Sequence, residues 1–431
     1  MPRISAPSST EVKQHPREFG LLRQLTTGEE VDPSLLAEYV KLYGADGGKQ
    51  PSGQEMSFSE FASLFAKPAS SRGASASDPA TNCLGWAVKE AGKPLEPFAF
   101  DRRPVGPHDI RIQIAFVGVC HSDVHQARDE WGNSLFPMVP GHEIAGIVTE
   151  VGSEVTAFAP GDRAGVGCMV DSCRACSFCA PPRCEEQFCA KCVYTYNYKH
   201  ADGSLEHGGY STHLVVRDCF ALRLPANLPL DETAPLMCAG ITVYSPMKTF
   251  GLDKPGMKIG VVGLGGLGHM AVKLGKGLGL HVTVISTSPG KKEEAIKVLG
   301  ADAFIVSKDE EEMKAAANSL DGIIDTVSAH HDIGALVGLL GVDGKLAIVG
   351  VPDKPLSLPA AAIIFKRASI GGSLIGSIQQ TQEMLDLCGE KGIGSMVERI
   401  PIEKINEAYD RISKSDVRYR FVIDIQGSLI Q

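Results

Sequence analysis

Residues 259 to 287 read IGVVGLGGLGHMAVKLGKGLGLHVTVIST, and this stretch restricts the fold more than any other. An apolar run of strand length leads straight into glycines at 263, 265, 266 and 268, then into a helical pattern and a second apolar run. Gly263 permits a tight turn, Gly265 lets the backbone approach a pyrophosphate, and Gly268 lets the helix pack close to the strand with its first N–H groups facing the phosphates. Gly266 and Leu267 complete the cofactor-binding turn. Glycines also mark ordinary turns, but a strand before and a helix after are the context that dinucleotide binding requires.

The neighbouring sequence extends this unit. From about residue 239 to 373, MKIGVVG, HVTVIS, AFIVS, DGIIDTVS, GKLAIVG and ASIGGSL are apolar runs separated by helical stretches such as SKDEEEMKAAANSL. That alternation predicts a doubly wound parallel sheet of the Rossmann type, covered by helices on both faces. Upstream, from Trp86, short β-type runs punctuated by Gly and Pro (IRIQIAFVGV, EIAGIVTEVG, STHLVVR) predict a strand-rich domain. Downstream, QQTQEMLDLCGEKGI and INEAYDRI read as helices and YRFVIDI as a closing strand.

The expected domains are therefore an extension and linker over 1–82, a strand-rich domain over 83–238, a nucleotide domain over 239–373, and a return to the first domain over 374–431. The extension carries two helical patterns, DPSLLAEYVKLY and SFSEFASLFA, and ends in ASSRGASASDPAT, which suggests a helical and partly disordered appendage. The segment between those patterns places Glu60 where an EF-hand has its last ligand. Lys49, Pro51 and Gly53 take the carboxylate positions, however, so a tethering or packing role is the better reading.

The end of the second strand of the nucleotide unit selects the cofactor. An Asp or Glu about twenty residues beyond the glycines would bond the ribose 2′-OH of NAD. Here the chain reads VISTSPGKK: Ser286, Thr287 and Ser288 supply hydroxyls, Lys291 and Lys292 supply charge, and no carboxylate stands in the way of a 2′-phosphate. NADP(H) is expected. A solvated lysine pair at a helix start is the alternative, and it suits Lys292 better than Lys291.

A formal charge of −9, with dispersed basic residues, argues against nucleic acid as partner. The N-terminal MPRISAPSSTEVKQHPREFG has no apolar core of a signal peptide, and no run of about eighteen apolar residues occurs. A soluble, cytoplasmic protein acting on small molecules is expected, with no membrane partner. In a reducing compartment, dense cysteines point to metal or catalysis rather than to disulfides. Six of the twelve cysteines fall within VDSCRACSFCAPPRCEEQFCAKC, residues 170 to 192.

Two further clusters stand apart from that lobe. GVCHSDVHQ contains Cys120, Ser122, Asp123 and His125, VPGHEIAG contains His142 and Glu143, and APLMCAGITVYSP adds Cys238. Singly, a buried Cys acts as a small hydrophobe. Together, two thiolates and one imidazole would leave the fourth position of a tetrahedral zinc open, as a catalytic zinc requires.

The segments GVCHSDVH, PGHEIAGIVTEVG, GDRAGVGC, APLMCAGITVYSP, GLGGLGHMAVK, GGSLIGS and DVRYRFVID recur in the order found in zinc-containing medium-chain alcohol dehydrogenases, and the chain resembles the cinnamyl alcohol dehydrogenase subfamily over residues 84 to 425. The resemblance implies a GroES-like catalytic domain beside the Rossmann domain, and a homodimer. It implies catalytic zinc on Cys120, His142 and Cys238, with Asp123 orienting His142, Glu143 able to approach the metal, and Ser122 and His125 forming a proton relay. It matches Ser286, Thr287 and Lys291 to the 2′-phosphate ligands. A lobe at about 168–192 would carry a structural zinc on Cys173, Cys176, Cys179 and, across a two-residue insertion, Cys189, with Cys184 the alternate. Cys168, Cys184 and Cys192 are left without a role.

The implied activity is zinc-dependent, NADP(H)-linked interconversion of primary alcohols and aldehydes, aromatic of the cinnamyl type or medium-chain aliphatic. Tyr194 stands where lignin-pathway members carry a pocket Trp, which keeps polyol (mannitol-type) and terpenol oxidation open. Two alternatives remain: a noncatalytic relative that keeps the fold and binds NADPH as a redox sensor, and a cysteine lobe acting as an interaction or redox-sensing zinc ribbon with the dehydrogenase secondary.

Overall fold

A computed structural model describes residues 81–352 and 354–430. The expectations for the N-terminal extension, including Glu60, lie outside the described residues apart from Thr81 and Asn82. Two larger sheets organise the described chain.

The first is a six-stranded parallel sheet. Its strands Lys258–Val262, His281–Ser286, Ala303–Val306, Leu320–Asp325, Leu340–Ile348 and Ser369–Gly372 stand in the spatial order third, second, first, fourth, fifth, sixth. All six coincide with the apolar runs read from the sequence. Parallel strands covered on both faces need near-continuous apolar residues, and Ile259, Val261, Val282, Val284, Ile323 and Ile324 are all buried. The order reverses between the first and fourth strands, where Val262 pairs with Asp325. Ligands of such sheets bind beyond the carboxyl ends of the strands at that point. One predicted helix is shorter than its composition suggests: within 307–320 only Glu310–Ala315 is helical. Asp309 caps its start, and Asn318 turns the chain with a left-handed φ of 60° before the next strand.

The second sheet has seven strands. Asp109–Gly118 lies at its centre, pairing antiparallel with Ile144–Val151, His213–Arg217 and Arg420–Asp424. Arg163–Val166 and Leu222–Arg223 extend one side and Val397–Ile400 the other. The strands after residue 373 thus return to the sheet built by residues 109–223. This return sets Arg420, far along the chain, beside residues that follow the central strand. The long central strand alternates inward Ile110, Ile112 and Ile114, all fully buried, with half-buried Arg111 and Gln113.

Candidate active site and metal centre

Cys120 leaves the central strand of the seven-stranded sheet and caps the helix His121–Ala127. Its backbone N–H donates to Asp123 Oδ2 at 2.9 Å, so the third residue of the helix reaches back and fixes the entry. His142 and Glu143 precede the strand Ile144–Val151, whose Ile144 pairs with Val117, and this register brings them to Cys120. Cys238 arrives from the short 3-10 turn Ala234–Met237 and opens the helix Ala239–Thr249. One ligand atom from each of Cys120, His142, Glu143 and Cys238 lies within 4.8 Å of all the others, and the four residues are buried. The two sulfurs are 3.9 Å apart.

Charge and hydrogen bonding suit a cation here. Asp123, fully buried, has Oδ1 3.1 Å from His142 Nδ1, which leaves Nε2 as the free donor atom of that imidazole. Tyr210 donates to Asp123 Oδ2 at 3.1 Å and the Gly141 N–H to Oδ1 at 3.1 Å, so the carboxylate is fully used. The bond with Cys238, His142 and the Arg420 guanidinium hold the Cys120 thiol well below the usual thiol range, although burial opposes them. Burial pushes Glu143 up to about 7 against the pull of Arg420. Glu143 Oε1 pairs with Arg420 Nη2, while Oε2 is buried with no hydrogen-bond partner among the described residues. Two sulfurs and one imidazole form a donor set that fits a tetrahedral zinc with one position left over, and the orphaned carboxylate oxygen of Glu143 lies beside it.

The nucleotide turn follows directly from the first parallel strand. Gly263 has φ 86°, the left-handed region that a side chain resists. At Gly265 an added Cβ would meet nothing within 4 Å, so the backbone there is open to a ligand. At Gly268 a Cβ would overlap the Gly263 carbonyl oxygen, because the helix Gly266–Gly277 begins flush against the turn. Leu267 is half-buried in the first turn of that helix. Lys291 is half-buried and its Nζ donates to the Leu264 carbonyl at 2.9 Å, which draws its charge to the glycine turn. Lys292 is exposed at the start of the helix Lys292–Lys297. Ser286 is buried, its Oγ accepting from the Ser288 N–H at 3.2 Å, and Thr287 is exposed.

In the cysteine lobe the thiols of Cys173, Cys176, Cys179 and Cys189 also lie within 4.8 Å of one another. The Cys173–Cys179, Cys176–Cys179 and Cys189–Cys173 sulfur separations are 3.5, 3.3 and 3.5 Å. Cys184 is not in that group; it takes a left-handed φ of 47° in the intervening turn. Four convergent sulfurs make a closed tetrahedral donor set, the kind that supports a fold rather than a reaction.

Comparison with known proteins places the chain in one lineage. Residues 106–226 match the family model "Alcohol dehydrogenase GroES-like domain" and residues 266–390 match "Zinc-binding dehydrogenase". Cinnamyl alcohol dehydrogenase 8 of Arabidopsis thaliana is 53% identical over 346 residues, covering 80% of this chain and 96% of its own. The chain belongs to the zinc-binding alcohol dehydrogenases of the cinnamyl alcohol dehydrogenase type. A probable mannitol dehydrogenase of Mesembryanthemum crystallinum is also 53% identical over 346 residues, with 80% and 95% covered. The crystal structure of CAD from Helicobacter pylori complexed with NADP(H) is 38% identical with a TM-score of 0.74, covering 80% of this chain and 99% of that one. The protein is thus an oxidoreductase acting on alcohols or aldehydes, and among the described residues no helix is long and apolar enough to cross a membrane.

Within this alcohol dehydrogenase framework, Ser122 and His125 lie three residues apart on the helix His121–Ala127 and so share a face. Ser122 Oγ is 3.7 Å from Cys120 Sγ, beside the metal-type cluster. His125 is about one-third exposed, its Nδ1 bonds Glu130, and its ring stacks on Trp131 with centroids 5.2 Å apart. Sequence reading passed over Glu130, Trp131, Tyr210 and Arg420, although Arg420 sits inside the DVRYRFVID segment. It also left Cys168 without a role. Cys168 lies near Cys238, which holds its thiol below the usual thiol range, but it stands outside the group of Cys120, His142, Glu143 and Cys238.

Proposed function

We propose that this alcohol dehydrogenase transfers hydride between NADP(H) and primary alcohols or aldehydes, aromatic or medium-chain aliphatic, with zinc held by Cys120, His142 and Cys238. One side chain carries the reading. Arg420, itself buried, pairs with Glu143 at the metal-type cluster, and a Cβ on Gly266 of the nucleotide turn would lie 2.8 Å from its Nη1. One side chain thus touches both sites, which sets the nucleotide turn beside the residues that would hold the metal.

When bound, zinc polarises the substrate oxygen and the nicotinamide C4 gives or takes the hydride. The protein's own side chains do the rest. Asp123 holds His142 by Nδ1 and keeps Nε2 turned to the metal position. The Ser122 hydroxyl, beside Cys120, moves a proton to or from the substrate oxygen, and the partly exposed His125 exchanges it with solvent while Glu130 holds its other nitrogen. Glu143, with one oxygen bonded and one free, can approach the metal when the fourth position is vacant. Cys173, Cys176, Cys179 and Cys189 would hold a second, structural zinc.

Lys291 beside the glycine turn, with Ser286 and Thr287 at the end of the second strand, supports NADP(H) as the cofactor, as does the NADP(H) named for the Helicobacter pylori relative. Lys291→Ala is expected to raise KM for NADPH about 10- to 100-fold, the range for a lost charge-assisted hydrogen bond, and to change KM for NADH far less. Steady-state kinetics with both cofactors checks this. An equal loss for both would remove Lys291 from the 2′-phosphate site.

Tyr194, 41% exposed on the short strand Val193–Tyr194, is free to border a substrate. The 53% identity to a probable mannitol dehydrogenase favours polyol oxidation as the second reading. A noncatalytic sensor fits less well, since all three zinc donors converge. The edge strand Ser369–Gly372 pairs on one side only, and Val342, Ile364, Phe365 and Leu374 are exposed in the elements around it. That edge supports a homodimer formed by two copies of the parallel sheet. None of the twelve cysteines forms a disulfide, which supports a reducing, cytoplasmic location.

A further inference from the structure

Asp325 is buried, ionisable and unused by the chemistry above. It ends the fourth strand of the parallel sheet, in register with Val262 on one side and Ile348 on the other, and its solvent exposure is zero. The loop that leaves it, residues 326–331, lies at the carboxyl edge of the sheet where the strand order reverses.

Two contacts fix that loop. Thr326 Oγ1 donates to the Val262 carbonyl at 2.7 Å, and a Cβ on Gly263 would lie 3.0 Å from both Thr326 Oγ1 and Val327 Cγ2. On the other side, a Cβ on Gly350 would overlap the Val327 carbonyl. The loop is thus wedged between those following the first and fifth strands. Lys291 and Ser286 stand on the second-strand side of the glycine turn, the side of the adenosine half. A dinucleotide spanning the turn places its other half on the fourth-strand side.

The bonding at Asp325 requires a shared proton. Its Oδ1 accepts from the Val327 N–H at 3.1 Å, and its Oδ2 lies 2.8 Å from His331 Nε2. His331 Nδ1 is 2.8 Å from the Ala329 carbonyl, which can only accept, so Nδ1 carries a proton. Nε2 then faces a carboxyl oxygen, and that contact needs a second proton on one partner or the other. Burial raises the Asp325 carboxyl, which favours keeping it. His331 is the titratable group that faces Asp325; Val262 and Ile348, its strand neighbours, are apolar. On the loop itself, His330 precedes His331 and Asp332 follows it as the cap of the helix Ile333–Leu339.

We propose that Asp325 and His331 form a proton-sharing clasp that holds the 326–331 loop against the cofactor crevice and so sets affinity for the nicotinamide half of the dinucleotide. Both are positioning residues, acting through the loop backbone. The proposal rests on the NADP(H) reading above.

The test uses the full chain and two ligands: NADPH, which spans both halves, and adenosine 2′,5′-bisphosphate, which reports the adenosine half alone. His331→Ala is expected to raise the Kd for NADPH about tenfold, the effect of losing a hydrogen bond to a charged group, while the Kd for the bisphosphate stays unchanged. In the unaltered protein, NADPH affinity relative to the bisphosphate should fall as rising pH removes the shared proton. Asp325→Asn donates its amide hydrogen to Nε2 and needs no such proton, so it should hold that ratio constant over the same pH range. The ratio cancels any titration of Lys291, which acts on both ligands. Unchanged NADPH binding by His331→Ala, equal loss of both ligands, or an Asp325→Asn pH curve that follows the unaltered protein would each overturn the clasp. If the unaltered protein binds neither ligand, the dinucleotide reading falls and the clasp with it.

Discussion

Cys120→Ala is expected to lower kcat/KM for aldehyde reduction by about a thousandfold or more while leaving the Kd for NADPH within about twofold. The first figure is the several kcal/mol that a metal contributes at a developing oxyanion. Removing one of two sulfurs 3.9 Å apart leaves Cys238 and His142 without the geometry for a tetrahedral ion. NADPH binding should survive because the glycine turn and Lys291 belong to another sheet, tied to the cluster through Arg420, which Cys120→Ala leaves in place. Stopped-flow reduction and fluorescence titration, run on the same preparation with its zinc content measured, decide it. Undiminished turnover by metal-free Cys120→Ala would remove zinc from the chemistry.

A second large effect separates two glycines that look alike in sequence. Gly268→Ala should abolish measurable NADPH binding and lower unfolding stability by about 1–3 kcal/mol, because its Cβ meets the Gly263 carbonyl oxygen and backbone must move. Gly265→Ala should leave stability within about 0.5 kcal/mol, since its Cβ meets nothing within 4 Å, yet still weaken NADPH by blocking the approach of the pyrophosphate. Thermal melts with and without NADPH measure both terms. If Gly265→Ala destabilises as much as Gly268→Ala, the turn is a structural element and its role in binding loses its support.

What could be read from the chain is what short range determines. All six parallel strands and the glycine turn coincide with local patterns, since buried parallel strands must be apolar throughout and a pyrophosphate-binding turn must contain glycines. Cys120, Asp123 and His125 share one segment, and the capping geometry that joins the first two spans three residues. The choice of Cys189 over Cys184 came from the family resemblance, and the convergence of four sulfurs agrees with it. Other parts depend on distant pairings that no local pattern announces. Arg420 meets Glu143 across 277 residues, brought in by strand register, and Tyr210 meets Asp123 across 87, its backbone N–H held by the Pro140 carbonyl. Cys168 shows the same limit: it comes near Cys238 because Gly165 and Gly167, at the end of the strand Arg163–Val166, pack against Met237. The helix at 307–320 is cut short by a left-handed turn at Asn318, a tertiary feature that helix-forming composition hides.

The most direct test of the whole account is zinc content per chain measured together with NADPH consumption on cinnamaldehyde, benzaldehyde and a series of aliphatic aldehydes, with NADH as control. Two zinc ions per chain and reduction that prefers NADPH and disappears when zinc is removed are the predicted results. Full activity in protein holding no metal would contradict the claim that Cys120, His142 and Cys238 form the reaction centre.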